Sequence, residues 1–200
     1  MTHPFRFSAS LGGLETADLV TNAQRAEELG YDTVTLPDHF TDQPAPLIGL
    51  TAAAIATTTL RVLPLVLAND YREPMVLAKE LASIDALSGG RLEFGLGAGW
   101  MITGYEQAGI RYDSPGMRIR RLSESVDILR ALLAGDEVTI DSEFYSITGS
   151  LSAPLPVQAG GIPLMLAGGK QKMLTLAGEK ADIVGFNPGL TAGVIDERAG

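Results

Sequence analysis

Apolar and polar positions along the chain switch between two periods. Phe5 to Leu11 alternates aromatic and small residues as a strand does, and Gly12-Gly13 ends the run. From Thr16 to Leu29 the period lengthens. Leu19, Ala23, Ala26 and Leu29 recur at three- and four-residue spacing, while Asp18, Gln24, Arg25, Glu27 and Glu28 fill the other faces and Gly30 stops the pattern. This predicts a helix with one face on a sheet. The pair then repeats. Thr33 to Leu36 predicts a β-branched strand and Pro46 to Thr57 an alanine-rich helix. Arg61 to Leu67 predicts a strand, and Pro74 to Leu87 a helix with proline in its first turn. Leu92 to Leu96 reads as strand, followed by a long amphipathic helix over Met117 to Leu133. After an interruption the alternation resumes, with Pro163 to Leu166 as strand, Lys170 to Ala177 as helix and Ile183 to Phe186 as strand.

Repeated βα units demand a parallel sheet with helical crossovers, either open and doubly wound or closed into a barrel. The expected fold is α/β, a (β/α)8 TIM barrel, with about six of the eight βα units of such a fold within residues 1–200 as a single domain. Residues 135–162 read as an insertion, in which Val138 to Ile140 and Phe144 to Ile147 form a short hairpin ahead of a Pro- and Gly-rich loop.

Composition narrows the function. Hydrophobic residues make up 46% of the chain and charged ones 20%, enough apolar material for a real core. The absence of cysteine excludes a disulfide-stapled fold, a thiolate nucleophile and cysteine metal sites, and no metal is expected. Met1 to Ser10 lacks a basic region followed by an apolar segment, and no apolar run reaches the roughly 18 residues of a membrane span, so the chain reads as cytoplasmic. A net charge of −9, with 15 scattered basic residues, argues against nucleic acid and for a small-molecule ligand.

In a barrel the groups that do chemistry project from the carboxyl ends of strands. Directly after the second strand stands Leu36-Pro37-Asp38-His39-Phe40. Asp38 could cap a turn and His39 could be a loop residue. Yet histidine occurs only at His3 and His39, and its charge changes near neutral pH, which makes His39 the candidate proton carrier. After the fourth strand, Gly95, Gly97 and Gly99 leave bare backbone that can approach a flat ring, with Trp100 available to stack. The spacing differs from a dinucleotide fingerprint, and no helix is expected to follow at once. Ala167-Gly168-Gly169-Lys170 runs from a strand into a helix N-terminus, where backbone N–H groups, Lys170 and Lys172 can hold a phosphate; a plain Gly-Gly turn is the other reading. Asn69, after the third strand, could bond a ring or a ribityl hydroxyl or cap its turn. Gly89-Gly90 reads as a helix C-cap.

Taken together, Pro37-Asp38-His39-Phe40, Asn69-Asp70-Tyr71-Arg72-Glu73-Pro74, Leu87-Ser88-Gly89-Gly90-Arg91-Leu92 and Gly95-Leu96-Gly97-Ala98-Gly99-Trp100 resemble the luciferase-like monooxygenase superfamily, in particular its coenzyme F420 branch. Arg118, Arg121, Leu122, Glu124 and Phe144-Tyr145 extend the match. The resemblance implies a barrel, usually dimeric, with a deazaflavin at the carboxyl ends of the strands. It implies that Asp38 contacts the ring system, that His39 is a proton donor or electrostatic partner beside the hydride-transfer centre, that Ala98 and Gly99 line the cofactor, and that Ala167, Gly168 and Gly169 hold its phosphate end. It also implies a non-prolyl cis peptide near Pro64, Leu65 and Val66. Where the sugar-phosphate dehydrogenases of the family have a glutamate after the fourth-strand glycines, this chain has Trp100, which argues against the same substrate. An FMN-dependent monooxygenase on the same fold and a barrel that binds a ligand without turnover are the competing readings. A nicotinamide enzyme fails for want of a glycine signature at the first strand.

Overall fold

In the computed structural model, which describes residues 5–150, 153–187, 190–191 and 194–195, the alternation becomes a curved parallel sheet with helices on one side. The elements are β1 (Ser8–Ser10), α1 (Leu19–Glu28), β2 (Thr33–Leu36), α2 (Pro46–Ala56), β3 (Arg61–Pro64), β4 (Leu67–Ala68), α3 (Pro74–Ser88), β5 (Phe94–Gly97), α4 (Ile102–Ala108), α5 (Pro115–Ala134), β6 (Val138–Asp141), β7 (Ser146–Ser150), β8 (Leu164–Gly168), α6 (Gln171–Lys180) and β9 (Ile183–Phe186). A further antiparallel pair joins Leu190–Thr191 to Val194–Ile195.

Strands β1, β2 and β3 pair in parallel, as do β4, β5, β8 and β9. The two sheets are continuous. Val62 bridges to Leu92, donating from its N–H to Arg91 O at 3.1 Å and accepting from Glu93 N–H at 3.0 Å. The strand expected from Arg61 to Leu67 is therefore one position in two pieces, β3 and β4, interrupted at Leu65-Val66, whose peptide bond is cis. Six positions in chain order follow, and the helices pack in the same order, α1 on α2, α2 on α3, α3 on α5 and α5 on α6. That is the arc of a (β/α) barrel, since a doubly wound sheet places its helices on both faces. Val34, Leu36, Leu50, Val62, Leu81, Leu96, Leu122 and Leu166 are wholly buried between strands and helices.

Helix ends follow local chemistry. Proline opens α2, α3 and α5, where a missing N–H costs nothing. Ser114 caps α5, accepting from Met117 N–H, so this helix starts two residues before the expected Met117. Gly89, at φ 65°, ends α3 and Gly90 N–H reaches back to Asp85 O at 2.9 Å, as the Gly-Gly reading expects. Leu29 departs from the expected packed face: it caps α1 rather than belonging to it, and it is 60% exposed. The hairpin of residues 135–162 forms from β6 and β7 with a register shift between Val138 and Ile140; Leu151 and Ser152 lie outside the described residues.

Long-range polar anchors hold the turns at the amino ends of the strands. The Arg91 guanidinium donates to Ala54 O, Thr57 O, Leu60 O and Ser88 O, closing the C-termini of α2 and α3 together. Buried Asp85 accepts from Val157 N–H at 2.8 Å and from the Gln158 side chain at 2.7 Å, which fastens the segment before β8. Buried Glu93, just before β5, pairs with Arg6, just before β1, at 2.6 Å and with Arg61 at the start of β3 at 3.5 Å.

Glu27 makes the acid limb of stability testable. Its Oε1 accepts from the N–H groups of Thr58, Thr59 and Leu60 at 2.9, 2.6 and 3.0 Å. These bonds, that to Thr59 N–H foremost, lower its pKa to about 2. A depressed carboxyl stabilises the fold above its ordinary value near 4.5 and loses that contribution as pH falls toward 2. Glu27→Gln should lower the midpoint of thermal unfolding at pH 6 and flatten its decline between pH 4.5 and 2. An unchanged acid limb would show that the bonds to the Thr58–Leu60 turn carry no linkage.

Candidate active site

The carboxyl ends of the strands open on a cavity of about 840 Å³. Its wall follows the order of the sheet: Pro37, Asp38 and His39 after β2; Leu65 to Ala68 at the split strand; Gly97 to Met101 after β5; Ala167 to Lys170 after β8; Phe186 and Asn187 after β9. A smaller cavity of about 370 Å³ lies at the opposite end, under the C-terminus of α5, and carries none of the candidate residues.

The loop after β2 is held by its backbone. Gln43 Nε2 donates to Pro37 O at 2.7 Å and to His39 O at 3.4 Å, which leaves the half-buried imidazole directed by a fixed chain. Its ring meets Trp100 edge-on, with centroids 5.7 Å apart, so residues from two non-adjacent strands share one corner. Asp38 differs from the free carboxylate that the sequence offers. Both of its oxygens accept from Arg72, at 2.6 and 3.1 Å, and Oδ2 also accepts from Ala68 N–H at 3.0 Å. It lines the cavity as one half of a neutral pair that stitches β2 to the split strand.

The strand end Ala98-Gly99-Trp100 is fastened from behind. Arg118 Nε donates to Ala98 O at 3.0 Å, and its guanidinium lies over the Tyr112 ring at 3.8 Å. Tyr112 in turn donates to Trp100 O at 3.1 Å. Tyr105, wholly buried, donates to Asp70 at 3.1 Å, and burial pushes its hydroxyl well above the usual phenol range. Asp70 pairs with Arg121 at 3.0 Å, and Arg121 also bonds Asp113, whose carboxyl it holds below the ordinary range. Gly99 adopts φ 75°, and a Cβ there would lie on the Tyr105 hydroxyl and 2.8 Å from its Cζ. Gly95 and Gly97 have a packing reason instead of the expected open approach: a Cβ would meet Val66 at 2.7 and 2.9 Å.

The helix α4, which supplies Tyr105, was not expected after the glycines. It begins two residues beyond Trp100 and ends at Gly109, φ 68°. Its seven residues include Gly104, which admits the Tyr71 ring, and show too short an apolar period to be read from sequence. Asn69 is 2% exposed, does not line the cavity and donates from Nδ2 to the Tyr145 hydroxyl at 3.2 Å. The signal that could have found the fastening set was the run of tyrosines and arginines at 105, 112, 118 and 121.

At the far side, α6 has Lys170 as its N-cap with no side chain capping it, and Gly168, Gly169 and Lys170 at this helix end line the cavity. Gly168 has no room for a side chain, since Met173 Cβ would stand 2.9 Å from it. Such a terminus attracts a phosphate. His39 and this terminus are separated by three strand spacings, roughly 14 Å, which suits a ligand with a flat ring at one end and an anion at the other. No group of metal-ligating side chains occurs among the described residues.

Comparison with known proteins agrees with this geometry. A family model described as luciferase-like monooxygenase matches residues 1–197. The chain is 33% identical over 162 residues to 5,10-methylenetetrahydromethanopterin reductase of Archaeoglobus fulgidus, covering 81% of this chain and 46% of that protein. It is 32% identical over 188 residues to F420-dependent glucose-6-phosphate dehydrogenase of Mycolicibacterium gilvum, covering 88% and 54%. The chain thus spans about half the length of the curated relatives it matches. In fold it superposes on an F420-dependent secondary alcohol dehydrogenase in complex with an F420-acetone adduct with a TM-score of 0.83, at 24% identity, over 92% of this chain and 58% of that one.

Proposed function

Because the chain belongs to the luciferase-like monooxygenase family, we propose that it is an F420-dependent oxidoreductase moving a hydride between the deazaflavin and a small organic substrate. The observation that carries this reading is the layout of the cavity wall, with an imidazole at β2, bare backbone at β5 and an uncapped helix terminus at β8. Relatives named for F420 at 32% and 31% identity support the cofactor. When bound, a deazaflavin gives or takes a hydride at one ring carbon. The chain supplies the rest. Ala98 and Gly99 would offer backbone to the ring, Ala167, Gly168 and Gly169 with the first turn of α6 would hold the phosphate, and Asp38, paired with Arg72 and bonded by Ala68 N–H, fixes the seam between β2 and β4. His39 delivers or accepts the proton at the substrate oxygen. The homodimer belongs to the same reading and is supported by α2, which has no charged residue and leaves Ile48 and Ile55 exposed at 73% and 64%.

Adding F420 and FMN separately to the protein and following fluorescence quenching and thermal shift tests the reading. F420 is expected to bind more tightly. Tighter binding of FMN with oxygen consumption would replace it by a flavin monooxygenase. Binding of F420 without reduction of any acceptor or oxidation of any donor would leave a ligand-binding barrel.

A further inference from the structure

Resting on that reading, we propose that Trp100 builds the substrate subsite beside His39, and that this subsite takes uncharged alcohols and carbonyls with a flat apolar body and refuses phosphorylated or carboxylated ones. The indole is 71% exposed although it stands on a cavity wall, and its backbone carbonyl is held by the Tyr112 hydroxyl. A large ring fixed at its base with its face open is a stacking surface. The T-shaped contact with His39 puts this surface next to the imidazole, so a substrate whose oxygen reaches His39 lays its body along Trp100. Pro37, Met101, Tyr112 and Pro115 continue the wall.

The charges on the same wall point the same way. Among the described residues the cations lining the cavity are Arg118 and Lys170. Arg118 is buried and committed to Ala98 O, Asp113 O and the Tyr112 ring. Lys170 belongs to the β8 end, with β4 and β5 between it and the strand that bears His39. The Asp38 carboxylate beside His39 is bidentate with Arg72, which leaves that arginine no free fork for a second anion. A phosphate carried to the His39 corner would lose its hydration there without gaining a cation, whereas an apolar ring exchanges water for the indole face.

Trp100 is the sole tryptophan of the chain, so its emission reports this corner directly. With the F420-loaded protein, benzyl alcohol should shift the residual tryptophan emission to shorter wavelength, and glucose 6-phosphate should not. Benzyl alcohol should also be the better hydride donor by kcat/KM. Trp100→Ala should raise KM for benzyl alcohol about tenfold, the scale of one lost aromatic contact, while kcat and the Kd for F420 stay within a few-fold. Trp100→Phe should recover most of the loss. If F420 fails to bind, the functional reading itself falls. If F420 binds and glucose 6-phosphate is bound or oxidised as well as benzyl alcohol, or Trp100→Ala leaves KM unchanged, this inference alone is overturned.

Discussion

Turnover of a His39→Ala variant is expected to fall by about 10² to 10⁴, or roughly 3 to 5 kcal/mol of transition-state stabilisation. Hydride transfer leaves the substrate one proton out of balance. On the described wall the imidazole at β2 is the group fixed beside the open indole face, and Gln43 keeps its backbone from drifting. The loss should appear in kcat, with F420 affinity within a few-fold, because on the proposed reading the imidazole meets the substrate rather than the phosphate end. Single-turnover rates with an identified donor measure it. Near-full turnover in the variant would remove His39 from the chemistry and pass the proton to water or to another side chain.

The second large effect is expected at Gly99, where two costs coincide. A left-handed backbone costs a side-chain-bearing residue about 1–2 kcal/mol, and forcing a methyl onto Tyr105 adds about 1–3 kcal/mol of overpacking. Gly99→Ala therefore displaces either the strand end or the ring that supports it. If the strand end yields, F420 affinity drops by about 30-fold or more; if the ring yields, the loss appears in thermal stability. Titration and unfolding of the same preparation separate the two. Tyr105→Phe removes the atom that the new methyl would strike first, so Gly99→Ala should cost less in that background. Unchanged affinity and stability in the single variant would mean that this backbone is not fixed as described.

These two sites differ in how they could be read from the chain. His39's place on the cavity wall was legible because histidine is scarce and the β-branched strand ending at Leu36 marked the strand end beside it. Gly99 was legible as a glycine after a buried strand, but its reason was not. The reason is Tyr105, on a helix too short to show a period, and Asp70 and Arg121, whose pairing spans 51 positions of sequence. Asp38 shows the same limit: sequence displays a carboxylate beside an imidazole, and only the folded sheet brings Arg72 onto it. Where Asn69 faces was not legible, because a residue just past a strand can face the cavity or the surrounding helices, and one step in the 3-10 turn that follows β4 decides between them. The helices were the surest part, since proline, serine and glycine state their ends locally. The break at Leu65-Val66 left no hydrophobic signature, as both residues are apolar on either side of it.

The Arg6–Glu93–Arg61 cluster has a kinetic meaning as well as a structural one. Arg6 and Glu93 are 87 residues apart, whereas the first pair of neighbouring strands joins Ser8 to Thr33. Loop closure grows only with the logarithm of length, so the longer loop costs about 1 kcal/mol more than the shorter one. The penalty is smaller once the intervening units have formed, because β3 then stands beside Glu93. The expected order of assembly is therefore neighbouring βα units first and the charged cluster last. A substitution at Glu93 should then act on the rate of opening far more than on the rate of folding, with the first strand as the latch that lets go first; unfolding and refolding rates of Glu93→Gln measure it.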